Sequence, residues 1–279
     1  MASSSVKRAS SRTERRALLF GTLALLAGCA ATPPAAIAPP AAVQQALAPT
    51  GTLRIAVYPG SPTSMVADAP DAERRGLTVD IGREMARRLG VPARIVVYPR
   101  VAEVVAALQR GEADVTITNA TAERQKILDF APPLVALELG VLVRAGSPVP
   151  SVDAMDRPDA RIGVSQGSSS ERALGGRLKS AKLVPQPTLQ AAAQALRQRE
   201  LDAFATNKAI LFELAGNVPG ARVLDGRWGL EHLALGTGQG RAAGLAWLKD
   251  FNTAMAAEGH VARAAERAGL RGTAPAEPR

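Results

Sequence analysis

The chain has 279 residues, enough for two lobes of ordinary domain size, and its 47% hydrophobic and 21% charged residues exclude a disordered chain. Aromatic residues are only 3%, which argues against a pocket walled by several rings. The formal charge is +9, but Lys7, Arg8, Arg12, Arg15 and Arg16 against Glu14 carry four of those nine; the rest is scattered without a basic run, so nucleic-acid binding is not expected.

The basic segment ending at Arg16 precedes an apolar run, residues 17–27, that is too short to span a bilayer and has the layout of a secretory signal. Leu26-Ala27-Gly28-Cys29 at its end resembles the bacterial lipobox, in which the cysteine is lipidated and becomes the mature N-terminus. Arg15-Arg16 also fits a twin-arginine export signal, but the rest of that pattern is poor and the general secretory route is preferred. The expected organisation starts with a signal peptide over 1–28, then an uncharged Ala/Pro-rich tether over 29–50. Cys29 is the single cysteine, so no intramolecular disulfide can form. The two histidines, His232 and His260, have no ligand spacing to one another or to a cysteine; no metal and no cofactor are expected.

Folding is expected to begin near Leu53. Residues 53–58 read as a strand ending in the loop Pro59-Gly60-Ser61-Pro62. Asp80 then reads as the cap of a helix with Ile81, Met85 and Leu89 on its apolar face, stopped by Gly90. A strand over 94–98 and a helix with Val101, Val104, Val105 and Leu108 on one face lead to Gly111 and a strand over 113–118. This β-α-β-α-β run implies a mostly parallel sheet. Further on, 139–144, 161–165 and 201–206 read as strands, and 171–178 as a helix. Leu189, Ala193 and Leu196 mark another helix; Leu245, Leu248, Phe251 and Met255 a long one, with a short helix over 261–268 after it. The tail over 273–279 is polar and expected to be disordered.

Residues 111–133 hold the most suggestive chemistry. The strand ends in Thr118-Asn119, turns at Thr121 and enters a short helix that carries Arg124. Free backbone N–H groups, hydroxyls and a guanidinium at one turn suit a carboxylate or another small anion. An ordinary cap beside a solvated arginine would use the same residues. The turn Gln166-Gly167-Ser168-Ser169-Ser170 offers N–H groups and hydroxyls in the same way. Moreover, Leu108-Gln-Arg-Gly-Glu-Ala-Asp114-Val-Thr-Ile-Thr118-Asn119 lies without a gap on Leu196-Arg-Gln-Arg-Glu-Leu-Asp202-Ala-Phe-Ala-Thr206-Asn207. Open α/β sheets bind ligands beyond the carboxyl ends of their strands, so two similar lobes would face one another across a cleft.

Several runs resemble one family, the bacterial periplasmic solute-binding proteins of the polar amino acid type (family 3). They are Gly51-Thr-Leu-Arg-Ile-Ala-Val57, Gly76-Leu-Thr-Val-Asp80, Thr121-x-Glu-Arg124 with Asp129-Phe130-Ala-Pro132, and Arg161-Ile-Gly-Val-Ser-Gln-Gly167-Ser168. The resemblance covers roughly 51–272 and implies an α/β, two-lobe, type II binding-protein fold. Lobe one would be 51–135 plus 232–272, and lobe two 136–231. It further implies that Arg124 takes the ligand's α-carboxylate, helped by Asn119 with Thr118 and Thr121 beside it. Ser168 would add a hydroxyl from lobe two, and Tyr58 with the Ser61–Thr63 loop would touch the ligand's side chain. Asn207 falls where an acid commonly receives the α-ammonium, so the ligand is expected to have a carboxylate without necessarily a free amino group.

The expected function is that of a monomeric, lipid-tethered periplasmic protein delivering a small carboxylate-bearing solute to an ABC permease by lobe closure. Chemistry on the ligand is not required. Two other readings stay open: a periplasmic enzyme on the same fold, such as a dehydratase of prephenate-like acids, or a ligand sensor. The carboxylate nearest the Ser168 turn is Glu171, which a first-turn helix position already explains. Trp228 and His232 fall near the second crossover, where they could line the cleft or belong to the core.

Overall fold

The computed structural model describes residues 39–67 and 69–274. The signal peptide and Cys29 lie outside the described residues. The first element is a helix, α1 (Ala41–Leu47), in the segment expected to be a tether. Its Val43 and Leu47 are buried in the same core as Leu248 and Phe251, and Leu47 packs on Gly244. The expectation of a tether reaching residue 50 is therefore corrected. Val43 and Leu47 stand one helical turn apart, and burying a leucine is worth about 2 kcal/mol.

The next elements are β1 (Leu53–Val57), α2 (Leu77–Leu89), β2 (Ala93–Val97), α3 (Val101–Gln109), β3 (Val115–Asn119), the one-turn α4 (Ala122–Gln125) and the long β4 (Leu128–Val143). Helix α2 buries Leu77, Ile81, Met85 and Leu89, a four-residue spacing that keeps one face on the sheet, and Gly90 closes it in the left-handed conformation. It begins earlier than expected. Gly76 is its N-cap, and Asp80 is a first-turn residue instead of the cap. The second half supplies β5 (Arg161–Ser165), α5 (Ser169–Arg177), β6 (Lys182–Gln186), α6 (Leu189–Arg197), β7 (Ala203–Asn207), α7 (Lys208–Asn217), the short β8 (Arg222–Val223) and β9 (Gly229–Gly238). Helices α8 (Ala242–Ala257) and α9 (His260–Arg267) follow.

Pairing runs in the order β2-β1-β3-β9-β4-β7-β5-β6, with β8 on β4. This order is a near palindrome. In each half three strands are parallel and the fourth, a long crossover strand, is antiparallel: β9 beside β3, β4 beside β7. The two crossover strands pair with one another from Leu128↔Gly238 to Leu139↔Gly229. Sequence reading saw only the end of β4, because Pro132-Pro133 breaks the strand pattern; the register shifts at Pro133 instead of ending there. The fold is thus α/β and two-lobed, with an apolar core on each side of each half-sheet.

Both halves are fastened at the same place. Asp114, fully buried ahead of β3, accepts hydrogen bonds from Arg54 N (2.9 Å), Nε (2.9 Å) and Nη2 (2.7 Å). Asp202, buried ahead of β7, accepts from Arg161 N (3.0 Å) and Nε (3.0 Å) and from Arg144 Nη2 (2.5 Å). Burial raises the Asp202 carboxyl, but the bonds from Arg161 and Arg144 outweigh it and leave the pKa below the usual value.

The C-terminal tail is not free at its start. Gly272 O accepts from Glu138 N (2.9 Å), and Ala274 N donates to Ala136 O (2.9 Å). Residues 272–274 therefore pair along β4, correcting the expectation that disorder begins at 273; 275–279 lie outside the described residues. Among the described residues no helix is long and apolar enough to cross a membrane. Nor does any group of three His, Cys, Asp or Glu among them form a metal cage.

Candidate functional site

The carboxyl ends of β1, β3, β5 and β7 converge on one small cleft. Thr118 and Arg124 come from the first half, Ser168, Thr206 and Asn207 from the second, Tyr58 from the end of β1, and Glu231 from the crossover strand β9. The enclosed space is about 20 Å3, room for about one water molecule, so a larger solute enters only when the two sides part. A roomier groove of about 430 Å3 lies between Pro59-Gly60 and α6, but its charged residues, Arg197 and Glu213, are not buried.

Arg124 is the centre of the cleft. Thr121 caps α4, its Oγ1 accepting from Arg124 N (3.3 Å), and this turn swings the guanidinium inward. Arg124 is 6% exposed. Its Nη1 donates to Thr118 Oγ1 (2.7 Å) and to Asn119 O (3.2 Å). Among the described residues no carboxylate stands within 4.0 Å of it. A buried cation without an anion is costly, and burial pushes the guanidinium below its ordinary pKa, offset in part by the charge of Glu231. Arg124 is therefore not a solvated arginine beside an ordinary cap.

Across the cleft, Ser168 caps α5, its Oγ accepting from Glu171 N (3.1 Å). The same hydroxyl keeps its own proton to donate into the cleft, so capping and ligand contact are compatible. The Glu171 carboxylate turns back to accept from Gly167 N. Asn207 caps α7, its Oδ1 accepting from Ile210 N (3.1 Å), and its Nδ2 donates to Glu231 Oε2 (2.8 Å).

Glu231 is the residue that sequence reading missed. It is 9% exposed, and burial raises its carboxyl against the Asn207 hydrogen bond and the charge of Arg124. The cleft therefore does not lack a negative group, as Asn207 alone suggested; the carboxylate stands on β9 beside it. Only its place on the inner face of a strand, with exposed His232 next to it, hinted at this.

The other expected residues divide. Tyr58 lines the cleft, its phenol pushed up by burial, and Ser61 Oγ and Thr63 Oγ1 lie 2.8 Å apart close by. Asn119 and Thr121 line a neighbouring hollow instead. Asn119 Oδ1 accepts from His232 N (3.2 Å) and Nδ2 donates to Ser169 Oγ (3.3 Å), a bond from one side of the cleft to the other. Trp228 also borders that hollow, with Nε1 donating to Gly140 O (2.9 Å). The rims meet at Gly167, where a Cβ would lie 2.5 Å from Ala102 Cβ, and at Glu123 and Arg172, 3.8 Å apart.

Known proteins resemble this chain in sequence or in fold. The membrane-bound lytic murein transglycosylase F of Maricaulis maris is 32% identical over 160 residues, 56% of this chain. That match spans only 34%, about a third, of the transglycosylase's length. The P235GK mutant of ArgBP from T. maritima superposes with a TM-score of 0.72 at 18% identity, over 82% of this chain and all of the other. An ancestral amino acid-binding protein, described as a precursor of cyclohexadienyl dehydratase, superposes with a TM-score of 0.68 at 24% identity, over 78% of this chain and 95% of the other. Residues 53–269 match the family described as bacterial extracellular solute-binding proteins, family 3, and on that match, with the fold and the cleft at the expected strand ends, the chain belongs to this family.

Proposed function

We propose that the protein binds a small carboxylate-bearing solute, an amino acid or a related acid, in the cleft and hands it to an ABC permease. The observation that carries this reading is Arg124: a buried guanidinium, held from behind by Thr118 and the Asn119 carbonyl, with no protein carboxylate in reach. A carboxylate arriving between Arg124 and the Ser168 hydroxyl supplies the missing charge. Lobe one (51–135 and 232–272) closes on lobe two (136–231) about the paired strands β4 and β9, and Asn119, Tyr58 and Thr121 complete or brace the rim. The similarity to amino acid-binding proteins supports the solute class. Export by the signal over 1–28 and lipidation at Cys29 place the monomer at the outer face of a membrane, next to a permease.

The test is calorimetry and thermal shift of the purified chain with a panel of small carboxylic acids. Arg124→Ala is expected to cost about 2–5 kcal/mol of binding, because it removes the whole counter-charge of a desolvated carboxylate. Equal affinity in the variant overturns the reading.

One observation favours a catalytic alternative. Burial holds the Glu231 carboxyl above its ordinary pKa, the condition of a general acid. Conversion of a prephenate-like acid by the wild type, abolished in Glu231→Gln, would establish that activity; binding without turnover sets it aside.

A further inference from the structure

We propose that the segment after α9, residues 270–274, is a strap that clamps the hinge and holds the two sides of the cleft together before any solute arrives. This rests on the reading that the lobes part and close about β4 and β9.

By themselves β4 and β9 would make that hinge a two-stranded ribbon, which twists and bends easily. The strap adds a third strand at the hinge. The last pair of β7 with β4 is Leu139↔Asn207, and from Glu138 onward the strap takes over the edge that β7 has left. Glu138 N donates to Gly272 O (2.9 Å), and Ala274 N donates to Ala136 O (2.9 Å). Thr273, Leu137 and Glu231 therefore stand in register across three strands, with Glu231 lining the cleft.

The strap is also fixed on both sides of the hinge. Leu270, just beyond α9, packs on the core that holds Leu248 and Phe251. The Arg271 guanidinium carbon lies 4.4 Å from the centre of the Phe212 ring on α7, in the second half. Gly272, at φ +76°, approaches α7 so closely that a Cβ there would lie 2.4 Å from Lys208 Cβ. Lys208 in turn pairs with Glu138 of β4 (2.6 Å). Bending β4 and β9 to open the cleft must therefore strip the strap from α7 or drag α9 along. Either loses packing, so the solute-free chain stays near the closed arrangement and opens only briefly. The strapped helix matters to the cleft, because α7 is the helix capped by Asn207, which orients Glu231.

The test measures the width of the cleft by pulsed electron resonance between spin labels at Lys126→Cys and Gly176→Cys, exposed positions on opposite sides of it. The chain carries Cys29→Ser and is freed of retained solute by denaturation and dialysis. With the strap intact the distance distribution is expected to be single and narrow. Deleting 271–279, which leaves Leu270 in its core, should lengthen the mean distance by more than about 2 Å. Gly272→Val in the full-length chain should do the same, because Lys208 leaves no room for the new side chain. As a control on the movement itself, Gly167→Leu pushes the rim against Ala102 and should also lengthen the distance. Lengthening in Gly167→Leu but in neither strap variant overturns the inference and leaves lobe closure standing. Strap variants that lose thermal stability without moving the labels overturn it too, since the segment then only fastens the tail. No lengthening in any of the three removes the lobe movement itself, and the inference with it.

Discussion

The two halves of this protein carry the same twelve-residue device and use its two ends differently. At the buried end they agree. Asp114 and Asp202 each hold the backbone N–H and the guanidinium of an arginine in the first two residues of the neighbouring strand, Arg54 and Arg161. At the cleft end they diverge. Thr118 and the Asn119 carbonyl hold Arg124, and the Asn119 side chain ties β9 to the opposite rim. Asn207, its counterpart, caps a helix and orients Glu231. The two segments agree in what fastens the strand to the sheet and differ at the end that faces the cleft. The cation comes from one half and the anion from the strand that joins them.

The comparison can be broken most severely at the shared aspartates. Asp114→Ala and Asp202→Ala should each lower stability by about 2–4 kcal/mol in denaturant unfolding, since each removes a buried carboxylate that accepts several hydrogen bonds from a backbone N–H and half-buried arginines. Similar losses from both would show that the two halves are fastened alike. The Asp202 carboxyl has a depressed folded pKa, so its contribution is present above the unfolded value near 3.8 and is lost as pH falls through the folded value. Asp202→Asn should remove that part of the acid limb.

Next in size is Leu47→Ala, expected to cost about 2–5 kcal/mol, because α1 belongs to the core of the first half and has no counterpart in the second. At the rim, Gly167 has φ +73° and touches Ala102, so Gly167→Ala should hinder closure and weaken solute binding by about tenfold in calorimetry. Ala102→Gly on that background should restore part of it by removing the steric contact.

Glu231→Gln gives a smaller effect of opposite sign on stability. Its raised folded pKa favours the neutral form, so its contribution is greatest below about 4.5 and is lost as pH rises through the folded value. The ligand-free variant should therefore be more stable than wild type at pH 7 by about 1 kcal/mol. The smallest effect tests the register in which the two segments align. Gly111 and the aligned Arg199 both have positive φ, 71° and 61°. Gly111→Ala should cost about 1 kcal/mol and Arg199→Gly should gain up to about 1 kcal/mol.

What was legible in the sequence was local. Strands ending in Thr-Asn, the helix entering at Arg124 and the cap at Ser168 are each written within a few residues, and the aligned pair of segments announced two halves. Three features were written across distance or against composition. Glu231 meets Asn207 only because an antiparallel crossover returns through the cleft, and nothing local marks that strand's inner face as functional. Helix α1 sits in an Ala/Pro-rich stretch, where Val43 and Leu47 were too few to outweigh the prolines. Thr121 caps α4, and in sequence a capping hydroxyl looks the same as a ligand-binding one; the Asn119 amide bonds to Ser169 and to the backbone of β9, partners that lie far away in the chain.

Native mass spectrometry of the freshly purified chain is the most direct test of the cleft. The wild type is expected to retain a small molecule that carries a carboxyl group, and Arg124→Ala to have lost it while remaining folded. The same adduct in both, or an adduct without a carboxyl group, would contradict the assignment of Arg124 as the carboxylate anchor.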